Sequence, residues 1–254
     1  MPSRSPLWPA QLDHFRIDAD DPMPLVAFYE AALGMVPTEL DDGTVLMQAP
    51  GRRLVIGQGT RGAQPFIAFR VQTDSQLDDL RRHAISRGVK PLASPTGVFA
   101  SGAFAVRDPD GRLAVFGLPR TELANAALLA DLSAAKLPGR LQHVVVASNN
   151  LAPMLRFYEE DLGFVVSDYV VEEGGEPTVG FFRSDPEHHS FGVFRCPQTR
   201  PDHHAYETTC WNDIRDWADH LATLDIKLWW GPGRHGPGNN LFFMIQDQIG
   251  RAHV

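Results

Sequence analysis

His203–His220, HHAYETTCWNDIRDWADH, opens as a short strand-like run and passes through Trp211 into an amphipathic helical pattern. Phe66–His83, FIAFRVQTDSQLDDLRRH, has the same outline without the histidine pair. A folding unit that occurs twice, with candidate metal ligands in one copy only, separates scaffold from chemistry.

The offsets extend in both directions. Phe66 and His203, Leu80 and Trp217, His83 and His220, and Lys90 and Lys227 each stand 137 residues apart. His14 and His143, Phe28-Tyr29-Glu30 and Phe157-Tyr158-Glu159, and Gly34 and Gly163 each stand 129 apart. Asp108 and Asp247 stand 139 apart, so about two residues enter the last repeat.

The pattern inside each repeat is strand, helix, then strands. LDHFRID (12–18) alternates as a strand; Asp20-Asp21-Pro22 starts a helix with Leu25, Phe28 and Leu33 on one face, and Gly34 ends it. TVLMQA and RRLVIGQ follow as strands. The second repeat runs from PFIAFRV (65–71) through a helix containing Leu77, Leu80 and Ile85 to Gly88, which suits a helix C-cap. Strands around VKPLAS, GAFAVRD and RLAVFGL complete it, with Asp108-Pro109-Asp110-Gly111 as a turn. The third begins at LQHVVVAS (141–148), and its helix presents Leu151, Met154, Leu155, Tyr158 and Leu162. Residues 121–137, TELANAALLADLSAAKL, lack strand character and lie between Pro119 and Pro138. The expectation is an α+β fold of four βαβββ modules in two domains, 1–120 and 139–254, joined by a helical linker over 121–138.

Composition excludes several classes. The formal charge is −8 with no Lys/Arg run, which argues against a nucleic-acid surface. No apolar run is long enough to span a bilayer, and the N-terminus has no apolar core of a secretory signal. A cytoplasmic protein is expected. Cys196 and Cys210, the two cysteines, read as reduced thiols and as small buried apolar residues rather than a redox pair.

The FYE…LG helices, LQHVVV, HHSFGVF, HHAYE and GPGRHGPGNNLFF together resemble the vicinal oxygen chelate superfamily. Within it, the four-module layout resembles the type I extradiol ring-cleavage dioxygenases, the catechol 2,3-dioxygenase and 2,3-dihydroxybiphenyl dioxygenase group. That resemblance implies an Fe(II) centre, with Mn(II) as the alternative ion, held by two His and one Glu. It implies that His143 and His203 are metal ligands, with His204 turned to the other face of its strand. A lone histidine at a strand start is more often structural, but two at matched module positions beside further histidine motifs favour a metal. The first domain has Phe66 and Val115 at the second and third ligand positions, so it is expected to be metal-free although His14 remains. The resemblance further implies that His189 and His235 act on protons and bound oxygen, with His188 as the register alternative to His189. An exposed turn and a plain Gly/Pro loop are the bland readings of these two stretches. The implied substrate is a small aromatic diol that meets O2 at the metal and is opened to a semialdehyde or keto acid. Trp229, Trp230, Phe242 and Phe243 could wall its pocket. Homo-oligomers are common in that group. Gly231–Gly236 also satisfies G-x-G-x-x-G, but the two prolines and the following strand make it a loop, not a dinucleotide fingerprint.

The sequence departs from the group at two places. The group's Glu falls seven residues after the aspartate of its last turn; from Asp247 that position is Val254. The tail Ile249–Val254 also reads as a translated sequencing-library adapter, so the native sequence is expected to stop near Asp247, with the last strand cut short. Met244 replaces a tyrosine that contacts substrate in the ring-cleaving members. A glyoxalase-like isomerase using another divalent ion and a metal-free binding protein of the bleomycin-resistance type remain as alternatives.

Overall fold

The computed structural model describes residues 5–121, 123 and 137–250 and the backbone of 252–253. The linker helix expected over 121–138 falls almost wholly outside them. The first module is β1 (Gln11–Ala19), α1 (Met23–Leu33), β2 (Val36–Glu39), β3 (Val45–Ala49) and β4 (Arg52–Gln58). The second is β5 (Phe66–Arg70), α2 (Asp74–Ser86), β6 (Leu92–Ala93), β7 (Phe104–Arg107) and β8 (Leu113–Gly117). The third is β9 (Arg140–Ser148), α3 (Leu151–Arg156), β10 (Val165–Val171), β11 (Pro177–Arg183) and β12 (Phe191–Arg195). The fourth is β13 (Arg200–Glu207), α4 (Trp211–Thr223), β14 (Trp230–Arg234), β15 (Leu241–Gln246) and β16 (Ala252–His253). This is the α+β architecture of βαβββ modules expected from the offsets.

The strands form two eight-stranded sheets, ordered β2-β3-β4-β1-β5-β8-β7-β6 and β10-β11-β12-β9-β13-β16-β15-β14. In each module the first strand pairs in parallel with the last. The repeat holds at the level of register. Phe66 faces Leu113 and Ile67 faces Ala114; at the matched places His203 faces Ala252 and His204 faces His253.

Local sequence sets the helix ends. The Gln76 amide donates to Thr73 Oγ1 at 3.1 Å to cap α2. Asp213 closes a capping box on α4, accepting from the Cys210 amide at 3.0 Å. Cys210 is therefore an exposed cap and Cys196 is half-buried, both free thiols; neither is the buried small residue expected. In α2 the buried face is Leu77, Leu80 and Ala84, and Ile85 is 56% exposed. Ala84 lies seven residues after Leu77, nearly two turns, and Ile85 is rotated about 100° further round. α3 gives way to a π-helical turn over Phe157–Asp161, where the Leu162 amide donates to the Phe157 carbonyl at 3.0 Å.

The chain packs into two compact units that interleave along the sequence. One is Met1–Asp13, Pro65–Leu123 and His143–Pro201; the other is His14–Gln64, Ala124–Gln142 and Asp202–Val254. Within the first, Tyr158 stacks on Phe191 with centroids 4.1 Å apart and donates its hydroxyl to Asp108 Oδ2 at 3.1 Å. Arg112 Nη1 reaches the same carboxylate at 3.2 Å. Burial pushes the Asp108 carboxyl up, while Arg112 and the Tyr158 hydroxyl draw it down. Within the second unit, Tyr29 donates to Asp247 Oδ2 at 3.4 Å. Arg52 lies over the Trp217 ring at 5.0 Å, and Trp217 Nε1 donates to the Pro138 carbonyl at 2.7 Å.

Gly34 and Gly163 end matched helices with φ of 60° and 79°, a left-handed conformation that disfavours any Cβ. A Cβ at Gly34 would meet open space; one at Gly163 would come 2.9 Å from Ser5 Oγ. Gly34→Ala is expected to cost about 1 kcal/mol, and Gly163→Ala more. Thermal unfolding of the two variants checks the order.

Candidate active site

Each compact unit holds its own group of the histidines singled out above. In the first unit, β9 carries His143 and the segment entering β12 carries His189, and both are buried. Their rings lie 4.3 Å apart, tilted by 37°. His188, half-buried, shares a 2.9 Å hydrogen bond with His189 through the two Nδ1 atoms. Phe181 packs edge-on against His189 at 4.9 Å. Of the two adjacent histidines, His189 is the one against His143; the turn from Asp185 leaves His188 on the outer side. Asp185 anchors that turn by accepting the Glu187 amide at 3.1 Å.

In the second unit, β13 carries His203 and His204 on opposite faces, as strand alternation requires. His204 is 0% exposed and packs on Phe15 at 4.5 Å and Tyr29 at 6.2 Å. His203 is half-buried, and its Nδ1 meets Asp202 Oδ2 at 2.8 Å. Engagement of one ring nitrogen by a carboxylate is the arrangement common among metal-binding histidines, whose other nitrogen meets the ion. Asp202 has no such part in the sequence-based expectations; its one signal there is the Asp-His pair at the head of the strand.

His235 follows β14 and stacks on Phe242, with centroids 3.8 Å apart and planes at 11°. Burial lowers its pKa, and the nearby His203 lowers it further. Residues 230–234, read as a loop, are a strand paired with β15: Trp230 faces Met244 and Arg234 faces Leu241. Two prolines and open glycines hid this edge strand, since an edge needs fewer ladder hydrogen bonds. Met244 and Phe242 are buried, whereas Trp230 is 54% exposed and Trp229 is exposed beside it. Trp230 packs edge-on against Phe242, with centroids 4.8 Å apart. Phe243 is half-buried in β15.

Among the described residues no group of three His, Cys, Asp or Glu side chains gathers to hold an ion. Imidazole is a ligand type that suits a divalent ion of the iron–manganese kind, and Asp202 meets one such ring, that of His203, at Nδ1. The third position by spacing from Asp247 carries the hydrocarbon side chain of Val254. At the positions the resemblance implies, the sequence therefore offers imidazoles for two places of a facial triad and no donor for the third.

The sequence pattern of the Glyoxalase/Bleomycin resistance protein/Dioxygenase superfamily matches residues 11–116 and 140–251. The chain belongs to that superfamily. It is 31% identical over 114 residues to the manganese-dependent 2,3-dihydroxybiphenyl 1,2-dioxygenase of Geobacillus genomosp. 3, a match spanning 43% of this chain and 36% of that enzyme. The fold superposes on the 2,3-dioxygenase LapB from Pseudomonas sp. KL28 with a TM-score of 0.80 and 18% identity, covering 96% of this chain and 90% of that one. It also superposes on the Mn(II)-bound glyoxalase from Novosphingobium aromaticivorans with a TM-score of 0.74 and 25% identity, covering 98% and 81%. Among the described residues no helix is long and apolar enough to cross a membrane.

The lowered His235 pKa has a defined sign. The folded protein keeps this imidazole neutral to lower pH than an ordinary histidine, so its contribution to stability is lost as pH falls through the folded value. Phe242→Ala removes much of the desolvation and is expected to move the His235 midpoint upward. A proton NMR titration of both proteins checks this; an unchanged midpoint would remove burial as the cause.

Proposed function

We propose that the chain is built as an extradiol-type ring-cleavage dioxygenase acting on a small aromatic diol and O2. In this proposal residues 1–120 are metal-free scaffold, 121–138 link the halves, and 139–254 carry the chemistry. His143 and His203 would hold an Fe(II) or Mn(II) ion. Such an ion, when bound, supplies the Lewis acidity and redox change that let a catecholate react with O2. The observation that carries the proposal is the buried contact between His143 and His189, which sets a second imidazole beside a ligand candidate.

The chain's own residues have separate tasks. Asp202 orients His203 through Nδ1. His189 takes the proton from the diol hydroxyl nearest it, and its Nδ1 contact to His188 fixes the ring. His235, kept neutral by burial against Phe242, hydrogen-bonds the incoming oxygen. Buried Met244 and Phe242 offer an apolar surface to an aromatic ring.

Likeness to a Mn(II)-bound glyoxalase at 25% identity over nearly the whole chain favours one second reading, a metal-dependent isomerase. Oxygen uptake separates the two, because isomerisation consumes none.

The third donor is the decisive variable. With Fe(II) or Mn(II) and a panel of catechols, Val254→Glu is expected to give oxygen uptake and ring-fission absorbance well above the chain carrying Val254. In that background His189→Ala is expected to lower kcat by about 10²- to 10⁴-fold, the usual range for a lost general base. Metal uptake without oxygen consumption in the Val254→Glu protein would move the isomerase ahead. No metal uptake by either protein would leave the metal-free binding protein.

A further inference from the structure

The two units contain the same tyrosine–aspartate contact, but in one of them the tyrosine has a second partner. In the first unit Tyr158 ties its helical segment to Asp108, the aspartate of the turn before β8. In the second unit Tyr29, at the matched place in α1, donates to Asp247, the aspartate of the turn before β16. The Tyr29 oxygen also meets His204 Nε2 at 3.5 Å, with the two rings stacked at 27°. The residue matched to His204 in the first sheet is Ile67, which has no polar group to offer.

One phenol therefore bridges β13 and the turn that leads into its partner strand β16. His204 sits on β13 next to His203, and Asp247 opens the turn into β16. β16 faces β13 in parallel, with His203 opposite Ala252 and His204 opposite His253. β16 is two residues long, so its own ladder gives it little hold on β13. The phenol can serve both partners at once, accepting from His204 Nε2–H and donating its own proton to the Asp247 carboxylate.

We infer that Tyr29 is a positioning residue: through the Tyr29–His204 and Tyr29–Asp247 contacts it fixes the register of β13 against β16, and with it the place of His203. It touches no substrate. Tyr158 performs the structural half of this task in the first unit, where the matched strand carries Phe66 instead of a histidine. Its consequence for metal affinity rests on the proposed dioxygenase reading; its consequence for strand register does not.

The test compares Tyr29→Phe with Tyr158→Phe in the full chain. Phenylalanine keeps the ring and removes only the hydroxyl. Amide hydrogen exchange is read by NMR on β5, β8, β13 and β16, together with the His203 ring signals, and Mn(II) affinity is read by titration in the Val254→Glu background. Tyr29→Phe is expected to speed exchange across β13–β16 by about tenfold, as loss of one hydrogen bond implies. It is also expected to shift the His203 ring signals and weaken Mn(II) binding by a similar factor. Tyr158→Phe is expected to speed exchange at β8 and leave the His203 signals and Mn(II) affinity unchanged. Unchanged β13–β16 exchange and unchanged His203 signals in Tyr29→Phe would overturn the inference, as would an equal loss of Mn(II) affinity in both variants. If the parent binds no Mn(II), the metal reading falls and the exchange arm alone decides the role of Tyr29.

Discussion

A buried tyrosine hydroxyl donating to the aspartate of a distant turn holds each compact unit together. Tyr158 reaches Asp108 across 50 positions of sequence, and Tyr29 reaches Asp247 across 218. A hydrogen bond to a charged acceptor contributes about 1.5–3 kcal/mol. The contact ties the first helix of one module to the final turn of another. That turn launches the strand that pairs in parallel with its own module's first strand. A second contact repeats the pattern: His83 Nε2 meets the Glu160 carbonyl at 3.2 Å in one unit, and His220 Nε2 meets the Ala31 carbonyl at 3.3 Å in the other. The tyrosine–aspartate pairs respect offsets of 129 and 139 residues and the histidine–carbonyl pairs offsets of 137 and 129, so the duplication extends to the contacts between modules.

Upon this frame the alternation of a single strand divides two adjacent histidines. His203 stays half-buried, with Asp202 on its Nδ1. His204 turns into an aromatic layer with Phe15, Tyr29 and Tyr206. Burying an imidazole there is tolerable only with polar partners, and Tyr29 is one of them. The first sheet needs no such partner, because Phe66 and Ile67 stand at these places.

The architecture was legible because duplicated sequence leaves duplicated offsets, and register follows from them: Phe66–Leu113 and His203–Ala252 are the same pair seen twice. The grouping of His143 with His189 was legible only through resemblance, since no spacing along the chain brings β9 to the turn before β12. Finer features were hidden for physical reasons. The buried face of α2 closes on Ala84 and not on the adjacent Ile85, because Ala84 is in helical phase with Leu77 and Leu80. The Gly/Pro stretch 230–234 formed an edge strand because β15 supplied its hydrogen bonds. The π-helical turn at 157–161 has no counterpart in α1, although both carry Phe-Tyr-Glu. Asp202 stayed unassigned because a carboxylate beside a histidine is common on any surface.

Manganese-edge anomalous diffraction from crystals of the Val254→Glu chain grown with Mn(II) tests the central claim most directly. The expected result is one ion bonded to a nitrogen of His143 and to a nitrogen of His203, with His204 at no bonding distance. An ion on His14, or none on either His143 or His203, would contradict it.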